Sequence, residues 1–372
     1  MGTLRFFLIA GEPSGDRLGA ALMAGLKALH PDVRFSGVAG PLMQAEGMDS
    51  LFAMQELSVI GLLEVLPKYV QLKRRIRQTA EAALAAQPDA VITIDSPDFC
   101  LRVAGLVKAA RPGLRTIHYV APSVWAWRPG RAAKMARVID HVLTLLPFEP
   151  PLMTQAGMTA EFVGHPVVAE PLGDAFAMPG QGPLLLALPG SRKSEVTRLA
   201  PVFGAVVARM AQSHPDLRVA LPTLDAVADL VRALTADWPV VPEIITDRER
   251  KADAFAAADV ALAASGTVSL ELAANRCPMV VAYKMNPLTF WLMQQAALVD
   301  TVTLVNLVSQ TRVVPEFLGP DCRPDRIAEA LEAVLAAPGA QDAAMTLTME
   351  RLGWGGDAPG LRAARSVLAQ IV

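Results

Sequence analysis

The chain has 372 residues, 52% of them hydrophobic and 19% charged, with a formal net charge of -2. That length exceeds the roughly 250–300 residues at which one hydrophobic core stops growing, so two domains are expected, and the composition excludes a disordered chain. Near-neutral charge excludes a global field for nucleic acid, while three widely spaced cysteines without a CxxC pair (Cys100, Cys277, Cys322) argue against a disulfide framework or zinc site and fit a reducing cytoplasm.

The opening apolar run, Leu4 to Ala10, is too short for a signal segment and leads directly into a glycine loop, so it reads as the first strand. No stretch reaches the roughly 18 apolar residues that a spanning helix requires. Short apolar runs recur at residues 6–10, 90–94, 116–120, 141–145, 184–188, 219–221, 260–263 and 279–282. Strands buried on both faces have this character. Helical periodicity over residues 16–29, 70–86 and 201–212 supplies crossovers, which predicts an α/β chain with parallel sheets in two Rossmann-like halves. Pro171, Pro179, Gly180, Gly182 and Pro183 punctuate residues 166–183, where the junction is placed. The expected domains are 1–170, 171–345 and a terminal helical segment, 346–372, packing back on the first half or on a partner subunit.

Ligands of open α/β sheets sit outside the carboxyl ends of the strands, so the loops after the apolar runs should carry the chemistry. The first is Gly11-Glu12-Pro13-Ser14-Gly15-Asp16. Glycines and a helix start offer free amides to an anion, and a tight turn with Ser14 or Asp16 as cap uses the same residues. The pattern is not GxGxxG, so a dinucleotide is not indicated. After residue 94 comes Asp95-Ser96-Pro97-Asp98. A carboxylate at a strand end can take a proton from an alcohol, although the same residues suit a helix cap; no His or third carboxylate lies near enough in sequence to suggest a metal. Residues 117–128 then bring Ser123, Trp125, Trp127 and Arg128. Such a loop forms either a rigid wall for sugar rings and acyl chains or part of the core.

In the second half, Pro189-Gly190-Ser191-Arg192 follows the run at 184–188 and places amides and one guanidinium around a point that suits a diphosphate. Ser265-Gly266-Thr267 follows the run at 260–263, with Glu271 about one turn into the next helix, where it could accept from ribose hydroxyls or simply face solvent. The segment from Val59 to Arg77 differs in kind: apolar residues crowd beside Lys68, Lys73, Arg74, Arg75 and Arg77. An interfacial membrane segment has this composition, as does a buried helix with a wet basic face.

In colinear order, residues 10–19, 37–47 (GVAGPLMQAEG), 94–99, 118–128, 146–149, 162–166 (FVGHP), 188–195, 264–271 and 277–291 resemble the lipid-A-disaccharide synthase family. The resemblance implies a GT-B architecture, two Rossmann-like domains with parallel sheets facing across a cleft, and an inverting glycosyl transfer that needs no metal or cofactor. It implies UDP-2,3-diacylglucosamine as donor and 2,3-diacylglucosamine 1-phosphate as acceptor, in lipopolysaccharide synthesis at the cytoplasmic face of the inner membrane, and a possible homodimer. By the same resemblance Asp95 is the general base, with Asp98 as the alternative; Arg192 binds the leaving diphosphate, and Gly266, Thr267 and Glu271 the nucleotide. Gly11, Ser14, Gly15, Asp16, Ser123, Trp125, Ser191, Ser265 and Asn306 complete the substrate-binding candidates. Pro13 and Pro67 depart from the family pattern at positions without an assigned role. Two other readings stay open: another GT-B enzyme using UDP-N-acetylglucosamine (a peptidoglycan-type transferase or a 2-epimerase), and a non-catalytic binding protein.

Overall fold

The computed structural model describes residues 2–57, 62–175, 178 and 180–371, with backbone alone for 62–69 and 288. The chain divides into two compact units, Met1–Pro166 with Gly355–Val372, and Val167–Trp354. In unit 1, β1 (Leu4–Ala10), β2 (Val33–Val38), β3 (Ala90–Ile94), β4 (Arg115–Tyr119), β5 (His141–Thr144) and β6 (Thr159–Phe162) form a parallel sheet in the order β2-β1-β3-β4-β5-β6. In unit 2, β7 (Leu184–Leu188), β8 (Arg218–Pro222), β9 (Glu243–Ile245), β10 (Val260–Ala263), β11 (Met279–Tyr283) and β12 (Glu316–Leu318) form a second one, β12-β11-β10-β7-β8-β9.

The expected parallel α/β class is therefore what the chain adopts. All eight apolar runs are strands, and all eight are interior to a sheet. The four strands that periodicity misses, β2, β6, β9 and β12, are the four edges. An edge strand has one neighbour and a partly wet face, so it needs no continuous apolar run. Glu161, Glu243 and Glu316 accordingly stand inside β6, β9 and β12.

Register sets where the chemistry can occur. Ala10 pairs with Ile94 at the ends of β1 and β3, and Leu188 pairs with Ala263 at the ends of β7 and β10. In each unit, two of the loops singled out above thus start side by side.

Helices cover both faces. In unit 1 one core joins Phe6, Leu8, Ile92 and Ile117 to the helix Pro13–Leu29 and to Ala363, Ala364 and Val367 of the last helix, Pro359–Leu368. The two helices meet closely: a methyl on Gly360 would stand 2.5 Å from the Ala21 carbonyl oxygen. His141 links Thr159 (2.8 Å) to Ser366 (2.9 Å), and Arg362 donates to the Phe162 carbonyl at 2.8 Å, so the C-terminal helix is bonded to the sheet it covers. Among the described residues no helix is long and apolar enough to cross a membrane.

Candidate functional site

At the carboxyl edge of the unit 1 sheet, the loops after β1 and β3 are hydrogen-bonded together. Ser14 Oγ donates to Asp95 Oδ2 at 3.2 Å, and Ser96 Oγ to Glu12 Oε1 at 3.3 Å. Gly11 packs against Ser96, and Gly15 lies over the end of β3 at Ile94. Asp95 and Ser96 both hold left-handed backbone, φ 52° and 43°. Consecutive non-glycine residues in that region are strained, and such strain persists where the surroundings impose it. The Asp95 amide donates to the Tyr119 carbonyl and Asp95 Oδ1 accepts from the Ser96 amide at 2.8 Å, which holds the half-buried carboxylate at the strand end. Asp98 lies one turn on, exposed, in the first turn of the helix Pro97–Ala110.

Asp16 does something else. It is 2% exposed, and its carboxylate accepts from the amides of Gly40 (3.0 Å), Leu42 (2.9 Å) and Met43 (3.0 Å). These are the unpaired donors at the start of the short helix Pro41–Ala45, so Asp16 caps a neighbouring element.

The aromatic loop after β4 is also strained at its entry, where β-branched Val120 has φ 86°. Ser123 is exposed, and Trp127 lies under the Arg128 guanidinium, 4.2 Å from its ring centroid. Trp125 is half-buried, meets Phe148 edge-on at 5.5 Å and donates its indole N–H to Glu149 Oε1 at 3.1 Å. Glu149 is 4% exposed, and its Oε2 also accepts from the amides of Leu145 and Leu146, at 3.2 and 3.0 Å. Burial pushes this carboxyl up to about 7 against the pull of the three donors. Glu149 thereby ties the aromatic loop to the loop after β5. Sequence reasoning gave it no role; a lone Glu within Leu-Pro-Phe-Glu-Pro-Pro was the available signal. Beneath this edge His118 bonds Thr93 Oγ1 at 2.7 Å, and burial lowers its pKa to about 4.

In unit 2, β7 ends in Pro189, Gly190, Ser191 and Arg192, and the helix Lys193–Ser213 follows. Glu195 organises the turn: it accepts from the Ser191 amide at 3.2 Å and the Arg192 amide at 3.4 Å, and pairs with Arg192 Nη1 at 3.1 Å. Gly190, at φ 109°, leaves no room there for a side chain. The Arg192 side chain is 72% exposed, so its remaining donors are accessible to an anion. Beside it, β10 leads through Ser265, Gly266 and Thr267 into the helix Val268–Ala274. Thr267 is exposed, Gly266 has open space about its Cα, and Ser265 Oγ donates to the Val302 carbonyl at 3.4 Å. Glu271 pairs through Oε2 with Lys251 at 2.6 Å. Asn306 is 1% exposed: its Nδ2 donates to the Val314 carbonyl (2.9 Å) and Thr301 Oγ1 (3.3 Å), and its Oδ1 accepts from the Val314 amide (3.1 Å). It clamps the segment that leads into β12.

Of the segment from Val59 to Arg77, Val59, Ile60 and Gly61 lie outside the described residues, and the helix Leu62–Ala85 carries the rest. Arg75 turns inward, donating to Glu56 at 2.7 and 2.9 Å with its guanidinium 4.4 Å above the Phe52 ring centroid. Val70, Lys73, Arg74 and Arg77 are exposed. Among the described residues no group of three or more His, Cys, Asp or Glu side chains converges as a metal site would.

Known proteins place this arrangement. Residues 6–353 match the family model described as lipid-A-disaccharide synthetase. The chain is 62% identical to the lipid-A-disaccharide synthase of Ruegeria pomeroyi, covering 99% of this chain and 96% of the relative, and 46% identical to that of Rhodospirillum centenum, covering 99% and 95%. The UDP-GlcNAc 2-epimerase from Neisseria meningitidis, solved bound to UDP-GlcNAc, superposes with a TM-score of 0.64 at 10% identity over 99% of this chain and 98% of that one, a likeness of GT-B fold alone. Since the family match runs through both sheets and every loop described above, the chain belongs to the lipid-A-disaccharide synthase family.

Proposed function

We propose that the chain transfers 2,3-diacylglucosamine from UDP to the 6-hydroxyl of 2,3-diacylglucosamine 1-phosphate, giving the β-1,6-linked disaccharide 1-phosphate and UDP. The strained, hydrogen-bonded carboxylate of Asp95 at the end of β3, in a chain of this family, is the observation that carries the reading. The acceptor oxygen attacks the anomeric carbon from the face opposite the diphosphate. Its proton passes to Asp95, and the bond from anomeric carbon to phosphate oxygen breaks with its electron pair leaving on UDP, so the configuration inverts. Arg192 and the amides of the Ser191 and Gly266 loops stabilise that charge, which is where pre-oriented donors act most strongly. The Neisseria neighbour's UDP-GlcNAc supports a UDP-sugar donor.

In this reading unit 2 binds the nucleotide through Ser191, Arg192, Ser265, Gly266, Thr267 and Glu271, and unit 1 handles the acceptor through Gly11, Ser14, Gly15, Ser123 and Trp125. Asp16 and Asn306 serve indirectly, by holding the segments they bond. The exposed cations Lys73, Arg74 and Arg77 beside Val70 support peripheral contact with the cytoplasmic face of the inner membrane, where both amphiphilic substrates reside. An epimerase or peptidoglycan-type transferase would share the fold, but the family match does not favour it.

UDP release from a defined pair of acyl sugars, with the product's mass, tests the reaction. Asp95→Asn should lower kcat by about 10²–10⁴-fold and leave UDP affinity unchanged. Retained turnover would remove Asp95 from the role of base and turn attention to Asp98.

A further inference from the structure

An ion pair beside the loop after β10 joins two helices of unit 2. Lys251 lies in the helix Arg248–Ala257, which enters β10, and its ammonium reaches Glu271 Oε2 at 2.6 Å. The same nitrogen sits 5.2 Å above the ring centroid of Phe255, one turn on and 2% exposed. Asp247 caps this helix, accepting from the Arg250 amide at 2.8 Å. The ammonium is therefore steered from below by a buried ring and from the side by a carboxylate. Yet the Lys251 and Glu271 side chains are 39% and 38% exposed, and a pair that open to water adds little to stability. Among the described residues Glu271 Oε1 has no partner.

We propose that Lys251 is a positioning residue for the donor's ribose, acting through Glu271. The inference rests on the reading of Glu271 as the ribose acceptor. A lone carboxylate beside a bound diphosphate would repel it, and a free glutamate would lose rotamer freedom on meeting the sugar. Lys251 removes both obstacles: it balances the charge, and by holding Oε2 it leaves Oε1 aimed outward to accept from the ribose 2′-hydroxyl. No contact between Lys251 and substrate is required.

The affinities of UDP and 2′-deoxy-UDP, measured by calorimetry on the full chain, test this. The wild type should prefer UDP by about tenfold, the worth of one hydrogen bond to a charged acceptor. Glu271→Ala and Lys251→Met should each bring the preference close to one, and Lys251→Arg should restore it. In turnover Lys251→Met should raise the donor's KM about tenfold with kcat kept and the melting temperature unchanged, because it removes binding common to ground and transition states. If Glu271→Ala loses the preference and Lys251→Met keeps it, the role given to Lys251 is overturned while the ribose reading stands. If Glu271→Ala itself keeps the preference, the ribose reading fails and takes the inference with it.

Discussion

Replacing Glu149 with glutamine removes a carboxyl whose folded-state pKa, about 7, stands well above its ordinary value of 4.5 because burial disfavours the charge. Between those two values the unfolded chain has released its proton and the folded chain retains it. Stability contributed by this group is therefore full below about 4.5 and is lost as pH rises through about 7. Integrated from pH 5 to pH 8, the loss is about 2–3 kcal/mol. Glutamine does not titrate, but where the neutral acid's hydroxyl oxygen still accepts a donor, the amide nitrogen that replaces it cannot, so one of Trp125 and the two loop amides loses its acceptor and the variant should be less stable than the wild type at pH 5. That deficit should shrink by about 2–3 kcal/mol on going to pH 8. Urea unfolding of unit 1, followed by pulsed hydrogen exchange of the β4 and β5 amides at one fixed labelling pH, gives both curves. Every other titrating group is shared and cancels in the difference. Parallel curves across the range would refute the reasoning and mean that Glu149 is ionised in the folded state throughout.

Burial holds His118 and His165 neutral in the folded state down to about 4, below their ordinary 6.5, so the sign there is opposite: stability is intact above 6.5 and falls as pH drops through about 4. A melting temperature that stayed flat between pH 6.5 and 4.5 in the Glu149→Gln variant, where that group's opposite change is absent, would contradict this. Gly360→Ala should destabilise unit 1 by about 1–3 kcal/mol, since its methyl meets the Ala21 carbonyl oxygen, backbone that cannot turn aside. Helix propensity alone predicts a gain of about 1 kcal/mol, so the sign of the measured change decides between contact and propensity.

The eight interior strands were legible because burial on both faces leaves a continuous apolar run, as in Ala-Val-Ile-Thr-Ile of β3. The edges were not: Thr-Ala-Glu-Phe of β6 and Glu-Phe-Leu of β12 become strands through pairing with a neighbour far away in sequence. The loops at strand ends were legible for the same reason as the strands, since each begins where an apolar run stops. Their residue types sufficed to name Asp95, Arg192 and Glu271 as candidates.

Partnership was decided only by the tertiary structure. Asp16 and Ser14 stand two positions apart in one glycine loop, yet Asp16 is turned inward onto the amides of residues 40–43 and Ser14 outward onto Asp95. Asn306 is a buried clamp, and Glu149 and Lys251 earn attention through what they touch, Trp125 and Glu271. Periodicity reports which side chains leave water, because that depends on the residue and its nearest neighbours along the chain. Which donor meets which acceptor depends on segments 20 or more residues apart arriving at one point, and no local pattern encodes it.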